Sequence, residues 1–383
     1  MTKELPPAWI TTTVGVACSI RNDLRLPISV EGRATMRGPY PYYGPTGQLD
    51  TISDFRLDGT FALIGEDGDH FLDEKKPQTI LVSGKFNVNN HAHVIASTER
   101  CYAEWFYNYF RHRSLKQHLT RQGAGRYKLN KAALQALQIL LPPPREQMAI
   151  NSLFRLWDAA IYTTEQLTVA KERLQAALIT QLFAISDRLG KSLQFDDILK
   201  ESTVAGGSGR QARKLTVKLY GKGVVAREER RLGSERTQYF ARRHGQLIYS
   251  KLDFLNGAFG LIPPELDGYE STLDLPAFDI EQTVNAVWLL GYLARSSYYT
   301  RQVGLARGQR KARRVHPSDL LASSLRIPPR AVQDHIADIL TASQSDIALT
   351  RKLHDSLRTQ KRGLMQKLLT GEWRLPLPEQ EAV

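Results

Sequence analysis

Asparagine and histidine side chains are concentrated in one short segment of the sequence, residues 86–94. Asparagine can form two hydrogen bonds to adenine, and both residue types can bind base edges or phosphates. The same side chains could instead satisfy the backbone of a polar strand edge. Two histidines two residues apart could also bind a metal, but no Cys/His pair of matching spacing accompanies them, and we therefore predict no metal site. The DNA-binding candidates here are Asn87, Asn89, Asn90, His91 and His93.

Tyrosines in a Gly/Pro-rich stretch and scattered basic residues are further candidates for contacts to a polyanion. Arginine can read guanine with two hydrogen bonds, and both basic side chains bind phosphates. Each tyrosine could equally pack in a core or a turn, and each basic residue could be an ordinary surface charge. The candidates are Tyr40, Tyr42, Tyr43, Arg37, Lys85, Arg121, Lys251 and Arg301, together with Arg210, Arg213, Lys214, Arg307, Arg310 and Lys311 from basic runs in the second half.

The motifs of several enzyme classes are missing from the sequence. An adenine methyltransferase needs an Asn/Asp-Pro-Pro-aromatic loop to hold the flipped base, whereas the proline-rich stretches here read LPPP (141–144) and IPPR (327–330). No G-x-G-x-x-G motif follows a predicted strand. We therefore predict no catalytic residues and no cofactor bound by this chain.

The composition is that of a basic, folded protein. Its 383 residues include 52 Lys and Arg against 39 Asp and Glu, a formal net charge of +13, which favours polyanions as partners. A hydrophobic content of 42% argues against wholesale disorder. The two cysteines exclude a disulfide framework, and no apolar leader or membrane-spanning stretch is present. We expect a cytoplasmic protein.

The chain contains two copies of one plan. The sequence LPPPREQ at 141–147 recurs as IPPRAVQ at 327–333, an offset of 186, and many apolar positions downstream match at the same offset. Trp105-x3-Tyr109 resembles Trp288-x3-Tyr292 at an offset of 183. So many matches in order favour a duplication over chance. We predict a recognition domain at 1–143, a helix at 144–184, a second domain at 185–327, and a second helix with a tail at 328–383.

The hydrophobic pattern assigns each copy a mixed α/β region followed by a long helix. Segments 61–64, 79–82, 86–95, 246–250 and 259–262 are β-rich, whereas 102–119 and 280–298 are typical of helices. After each Pro-Pro, apolar residues step by three and four, which is typical of a coiled coil. The predicted coiled-coil positions are Ile150, Leu153, Trp157, Ile161, Leu167, Leu174, Leu178, Ile336, Ile339, Ile347, Leu353, Leu357, Leu364 and Leu368.

We therefore predict an α+β fold in which two long helices form an antiparallel coiled coil and two domains are related by a pseudo-two-fold axis. A helix over 146–182 would span about 55 Å at 1.5 Å per residue, a length comparable to one or two turns of duplex DNA. Such a helix pair would set the distance between two DNA half-sites. Residues inserted within 167–178 should then change that distance.

Several stretches resemble the DNA-specificity subunit of type I restriction–modification systems. They are YPYYGPTG at 40–47 with DGTFALI at 58–64, FNVNNHAHV at 86–94, LPPPREQ at 141–147, WDAAI at 157–161, and GLMQKLLTG at 363–371 followed by WRL. The second copy departs from the pattern, because 330–333 lacks the acidic residue and SQSDI at 343–347 replaces the Trp-Asp pattern.

The resemblance implies a non-catalytic subunit in which two target-recognition domains each read half of a bipartite, asymmetric DNA site. It further implies two methyltransferase subunits, which modify adenine with S-adenosylmethionine, and restriction subunits as partners. The alternative is a coiled-coil scaffold that assembles partners without sequence-specific DNA binding. The bases recognised are not encoded in any readable way in these residues.

Overall fold

The computed structural model describes residues 5–73, 76–122, 126–228, 233–308 and 313–376. The chain divides into two compact units: unit 1 comprises Met1–Thr164 and Leu353–Val383, and unit 2 comprises Glu165–Lys352. The candidates Arg310 and Lys311 lie outside the described residues.

Unit 1 is a mixed α/β unit in which most elements precede the first long helix. Its strands are β1 (Ile10–Thr13), β2 (Ser19–Ile20), β3 (Arg37–Gly44), β4 (Gly47–Ile52), β5 (Leu57–Gly65), β6 (Thr79–Val88), β7 (Ala92–Ala96), β8 (Thr120–Gln122), β9 (Arg126–Lys128) and β10 (Gln138–Leu141). Its helices are α1 (Val14–Ala17), α2 (Val30–Thr35), α3 (Ala103–Phe110), α4 (Lys131–Ala136) and the start of α5 (Pro144–Leu189).

The main sheet of unit 1 runs in the order β2-β7-β5-β6-β3-β4, with β3 and β6 parallel and the other pairs antiparallel. Alternation along β5 sends neighbouring side chains to opposite faces. Ala62 and Ile64 join the core that contains Trp105 of α3, whereas Leu63 packs with Phe86 on the other face. Strand β1 pairs with β10 beside the start of α5.

Unit 2 contains shorter strands that form several small sheets. Its strands are β11 (Lys191–Gln194), β12 (Leu199–Ser202), β13 (Ala205–Ser208), β14 (Leu215–Val217), β15 (Val224–Ala226), β16 (Gln238–Ala241), β17 (Leu247–Tyr249), β18 (Phe259–Leu261), β19 (Glu270–Ser271), β20 (Ala277–Ile280), β21 (Ala306–Arg307), β22 (Arg314–Val315) and β23 (Ser324–Ile327). Its helices are α6 (Ala286–Leu293), α7 (Ser296–Tyr299), α8 (Pro317–Leu321) and the start of α9 (Arg330–Leu368).

The core of unit 2 lies on the sheet β12-β20-β17-β18. Tyr249 and Phe278 stack there with their ring centroids 5.8 Å apart, and the fully buried Trp288 of α6 belongs to the same cluster. Strands β13, β16 and β19 form a second sheet, while β14 and β15 form a separate hairpin. Strand β11 pairs with β23 beside the start of α9, as β1 pairs with β10 in unit 1.

The β-rich segments are strands as predicted, whereas the predicted helices are too long. Segment 86–95 is divided between the end of β6 and β7 by a turn. Segment 102–119 is α-helical only over Ala103–Phe110, and 280–298 contains α6 and α7 with a break between them. Basic and small polar residues follow both aromatic stretches, and they end the apolar face that a continuous helix would need.

The duplication extends to individual hydrogen bonds at the start of each long helix. In unit 1 the amide oxygen of Gln147 accepts from the backbone N–H of Tyr102 (3.1 Å), the N-cap of α3. In unit 2 Gln333 accepts in the same way from Asn285 (2.8 Å), the N-cap of α6. Each glutamine also donates to the carbonyl of the first proline of its Pro-Pro motif, at 2.9 and 3.0 Å. Equivalent side chains therefore fix equivalent helices in both units.

The long helices pair antiparallel within each unit, and polar contacts occupy much of the pairing. In unit 2 Lys171 contacts Asp346 (2.7 Å), and Gln175 donates to Ser343 (2.9 Å), so the partner number falls as the α5 number rises. In unit 1 Asp158 pairs with the buried Lys361 at 2.5 Å. The helices contain 46 and 39 residues, or about 69 and 58 Å at 1.5 Å per residue.

The predicted apolar stripe is wrong near its middle. Leu167, Leu174 and Leu353 are 44%, 60% and 52% exposed, because polar residues such as Gln175 and Lys171 occupy the contact positions there. A stripe drawn only through apolar residues therefore departs from the helix face that contacts the partner helix. The other predicted positions are buried (Ile150, Ile336, Ile347 and Leu368) or half-buried (Leu153, Trp157, Ile161, Leu178, Ile339, Leu357 and Leu364).

Two further findings concern the cysteines and the apolar character of the helices. In the core of unit 1 the Cys18 thiol donates a hydrogen bond to the Cys101 sulfur at 3.4 Å, and both cysteines are free thiols. Within the described ranges, no helix has the length and apolar character needed to cross a membrane.

Candidate nucleic-acid interface

The structure brings the candidates Tyr40 and Lys85, from separate segments of unit 1, together at Phe55, and we call these residues and Arg37 the Phe55 patch (Arg37, Tyr40, Phe55 and Lys85). Lys85 is exposed, whereas the Tyr40 and Phe55 rings are half-buried. The Tyr40 and Phe55 rings lie 4.9 Å apart, and the Lys85 ammonium lies 4.5 Å from the centre of the Phe55 ring. Arg37 is exposed at the start of β3, the strand that also carries Tyr40. Cations over an aromatic surface suit the phosphates and sugars of a nucleic acid.

Backbone geometry holds the Phe55 patch together. At Gly38 of β3 an added Cβ would lie 2.3 Å from the Cα of Ser53, so a residue with a side chain cannot occupy that position without displacing the loop before β5. Beneath the loop, Asn87 of β6 donates to the Asp54 carbonyl at 2.6 Å. The loop that carries Phe55 is therefore fixed on two sides.

Four candidates of unit 1 are buried and serve as positioning groups, which corrects the expectation that they contact DNA. Tyr42 is completely buried, and its hydroxyl donates to the Leu26 carbonyl. Asn87 is equally buried beneath the patch, and Asn89 accepts from the backbone N–H of His91. His93 lies between the Asn22 amide and the Leu129 carbonyl. Their polar atoms bind other parts of the unit, as the alternative of a backbone-satisfying role anticipated.

An ion-pair network lies next to the exposed residues Asn90 and His91. Glu66 contacts Arg25 at 2.6 Å and Lys128 at 3.1 Å, while Asp67 contacts His91 at 2.8 Å. Burial alone would raise the pKa of Glu66, but its bonds with Arg25 and Lys128 bring that pKa below its usual range. The network joins loops from four parts of the chain and presents His91 at its rim.

The buried His93 is held neutral beside this network. Burial lowers its pKa, which outweighs the opposing effect of the Leu129 carbonyl and Glu66. A neutral imidazole between an amide and a carbonyl is a structural connection rather than a DNA contact. Arg121, on the β8–β9 hairpin of the same unit, is exposed.

Three candidates of unit 2 form a smaller group near the β13-β16-β19 sheet. Arg213 lies 4.7 Å above the Tyr269 ring and is exposed. Arg210 is exposed and ion-paired with Glu235 at 2.6 Å. Lys214 is only 6% exposed, with its ammonium 5.7 Å from the Tyr239 ring, so its predicted role in DNA contact is corrected to one in packing.

The remaining candidates of unit 2 are scattered. Lys251 is half-buried and its carbonyl accepts from Val315, Arg301 is exposed, and Arg307 pairs with Asp319. Arg242, which belongs to a basic run, is instead 2% exposed. It donates to the Ser271 hydroxyl and to the carbonyls of Ser202 and Leu275. Burial lowers its pKa to about 10, so it remains charged at neutral pH.

Neither Phe55 nor the structural role of Arg242 was predicted from the sequence. Phe55 stands alone between polar residues, and no periodicity indicates its neighbours. Among the described residues, no group of three or more His, Cys, Asp or Glu side chains is placed to hold a metal ion. The candidate interface therefore consists of cations beside aromatic rings, and in unit 1 the loop that carries Phe55 is held by a hydrogen bond and by close backbone packing.

Comparisons with known proteins agree with this arrangement. Residues 21–170 match the family model of the type I restriction modification DNA specificity domain. The resemblance predicted from the sequence is confirmed. Over 132 residues the chain is also 34% identical to a putative type I restriction enzyme specificity subunit of Haemophilus influenzae. That match covers 34% of this chain and 33% of the relative, so the chain spans about a third of the length of that relative.

The fold resembles solved specificity subunits over nearly the whole chain. The S subunit of a type I restriction–modification system from M. genitalium matches with a TM-score of 0.61 at 11% identity, covering 96% of this chain and 97% of that one. The HsdS subunit of Thermoanaerobacter tengcongensis matches with a TM-score of 0.50 at 13% identity, covering 97% and 99%. At these identities the likeness concerns the fold, and it confirms the predicted fold class.

Proposed function

We propose that this chain is the non-catalytic specificity subunit of a type I restriction–modification complex. Each unit reads one half of a bipartite, asymmetric DNA site, and the chain brings adenine methyltransferase and restriction subunits to that site. The observation that carries the proposal is the repeated junction, in which Gln147 and Gln333 attach equivalent helices to two equivalent long helices. A chain with two similarly mounted units can read two half-sites.

Charge and exposed chemistry support DNA as the ligand. The formal net charge is +13, and the Phe55 patch and Arg213 present cations beside aromatic rings. Lysine and arginine contacts to phosphates would set the register, and polar side chains would discriminate between bases. S-adenosylmethionine would bind to the methyltransferase subunit and not to this chain.

Selection from a randomised duplex pool tests the proposal. The full-length chain, alone and with its methyltransferase partner, should enrich duplexes with two short conserved motifs separated by a spacer of fixed length. Binding to an enriched duplex should weaken with salt, with a slope of about −0.9 in log K against log salt for each phosphate contacted. A coiled-coil scaffold without DNA specificity predicts no enrichment, so a pool that stays random would reject the proposal.

Partner recruitment needs a separate measurement. Equilibrium dialysis of S-adenosylmethionine should show no binding to this chain alone and binding to its complex with the methyltransferase. Adenine methylation at the enriched motif should require both proteins. Binding of the cofactor to the isolated chain would contradict the assignment of chemistry to the partner.

A further inference from the structure

One residue of unit 2 combines backbone strain with an exposed aromatic ring. Tyr220 lies in the β14–β15 hairpin and has a φ of +60°, a left-handed conformation that L residues with side chains adopt at a cost. Its side chain is 64% exposed. Within the described ranges its ring stacks on no other aromatic ring, so the interior of unit 2 does not use the ring that occupies this costly position.

The hairpin tip is held in place by its own backbone and by a neighbouring loop. The N–H groups of Tyr220 and Gly221 donate to the carbonyls of Asn256 and Gly257 at 2.9 and 2.8 Å. Lys218 N–H donates to the Gly223 carbonyl at 2.8 Å. These bonds fix the tip before any ligand arrives, which reduces the conformational entropy lost on binding.

The base of the hairpin is anchored in the core of unit 2. Leu215 and Val217 of β14 are buried in the cluster that contains Ile248 and Ala258. Glycines follow Tyr220 closely: Gly221 and Gly223 have φ angles of +66° and +84°, which permit the tight turn. A rigid base therefore presents the tip to solvent.

Two exposed lysines stand two residues before and two residues after Tyr220 in the hairpin. Lys218 and Lys222 are both exposed and neither forms an ion pair with another described residue. The nearby acidic residue Asp253 is engaged by Ser250 and Asn256. An exposed aromatic ring with a lysine two residues before it and another two residues after it suits a groove of duplex DNA, where base edges and sugars lie between two rows of phosphates.

We propose that residues 219–223 form a DNA-contacting tip of unit 2. The Tyr220 ring contacts base edges in a groove, and Lys218 and Lys222 contact phosphates on either side. The ring then determines part of the sequence preference of the half-site that unit 2 reads. This inference rests on the proposed function, since it assumes that unit 2 reads DNA.

Three substitutions separate the effect of the Tyr220 ring on DNA binding from the effect of its left-handed backbone on stability. Tyr220→Asn removes the ring but tolerates the left-handed conformation, Tyr220→Gly removes both ring and strain, and Tyr220→Phe keeps the ring. We expect the Asn and Gly variants of the full-length chain to bind the wild-type-enriched duplex about tenfold more weakly, the effect of one lost base contact. Tyr220→Gly should meanwhile raise the melting temperature, and Tyr220→Phe should bind within about twofold of wild type.

Selection from the randomised duplex pool locates the effect. The Asn and Gly variants should lose preference at one or more positions in only one of the two half-site motifs. Tyr162→Asn is the matched control, because Tyr162 of α5 is 63% exposed and should alter neither motif. Replacing Lys218 and Lys222 by Gln should leave both motifs unchanged and reduce the salt slope by about 1.8.

The outcomes are distinguishable. If the wild-type chain enriches no motif, the proposed function fails and this inference fails with it. If the wild-type chain enriches two motifs and both ring-deleting variants enrich the same two with unchanged affinity, the inference is wrong and the proposed function stands. Loss of preference in both motifs would likewise overturn the assignment of Tyr220 to one half-site.

Discussion

The two junctions between a unit and its long helix share a central contact but differ in the residue beside it. Before Gln147 stands Glu146, which is 1% exposed and whose carboxylate accepts from the Trp9 indole (3.1 Å) and from Arg374 (2.8 Å). Before Gln333 the equivalent residue is the half-buried Val332, which packs against the core. The amide contact therefore attaches the helix in both units, whereas the buried charge occurs at the junction of unit 1 and is replaced by an apolar side chain in unit 2.

Removing the shared glutamine should have the largest effect. Gln147 makes three hydrogen bonds, one of them to the Arg100 carbonyl (2.7 Å), whereas Gln333 makes two. At roughly 1 kcal/mol for each buried bond, we expect Gln147→Ala to lower the free energy of unfolding of unit 1 by about 3 kcal/mol, and Gln333→Ala that of unit 2 by about 2 kcal/mol.

Hydrogen exchange in a urea series, followed peptide by peptide, would separate the two units. The exposed Gln181→Ala serves as control, because this glutamine of α5 is exposed and should affect neither unit. Equal losses in both units for either variant would mean that the junctions are not independent attachments.

The buried charge of unit 1 should give the next effect. Arg374→Ala removes the cation from the buried Glu146 carboxylate and leaves it the Trp9 indole as a donor, and we expect the free energy of unfolding to fall by about 2 kcal/mol. Glu146→Val combined with Arg374→Ala copies the apolar arrangement of unit 2 and should recover part of that loss. Chemical denaturation of the single and double variants measures the coupling; a double variant less stable than Arg374→Ala would contradict this account.

As the pH falls, the free energy of unfolding of unit 1 should decrease before that of unit 2. The decrease should be smaller than the losses expected for the substitutions above. Burial is the main cause that lowers the pKa of His112, to about 4, and the charges of Arg111, Arg362 and Lys361 lower it further. Because an unfolded histidine titrates near 6.5, protons bind the unfolded chain more readily. The stabilisation by the neutral ring is complete above about pH 6.5 and is lost as the pH falls towards 4.

The equivalent position in unit 2 holds an arginine in place of the histidine. It is Arg295, which pairs with Asp187 at 3.2 Å. Burial also lowers the pKa values of His70 and His93 of unit 1, so these add to its acid sensitivity. Urea midpoints for unit 1 peptides should fall between pH 7 and 5, and less so in His112→Gln; an earlier loss in unit 2 would reverse the comparison.

Much of the fold could be predicted from local pattern and repetition. The β-rich runs became strands because branched and aromatic residues alternate there, and the Pro-Pro motifs marked the starts of α5 and α9. The contact positions in the middle of the helix pair were predicted wrongly because Lys171 and Gln175 make the contacts there. A pattern of apolar residues gives no information about polar contacts.

The candidate site was harder to predict because exposure depends on pairing between distant segments. Asn87 and His93 look like surface polar residues in sequence, yet the pairing of β5 with β6 and β7 buries both. Phe55 carries no periodic signal. Gly221 and Gly223, which follow Tyr220, are a turn signal in the sequence that could have identified that tip.

We expect the two units to hold their DNA-contacting side chains in place by different means. The substitution that tests this in unit 1 has the smallest predicted effect. In unit 1 the Phe55 ring supports both Tyr40 and Lys85, so Phe55→Leu removes a ring pair and a cation–π contact. We expect affinity for the enriched duplex to fall about fivefold, corresponding to roughly 1 kcal/mol. The exposed Val30→Ala is the control.

The salt dependence of binding distinguishes a side chain that contacts a phosphate from one that only positions such a side chain. Lys85→Gln should reduce the salt slope by about 0.9, whereas Phe55→Leu should leave it unchanged, because the ring positions the ammonium without carrying a charge. Any change of base preference should appear in one half-site motif only, the one that Tyr220 variants leave intact. If Phe55 and Tyr220 variants altered the same motif, the two units would not read separate half-sites, and the duplication would have to serve another purpose.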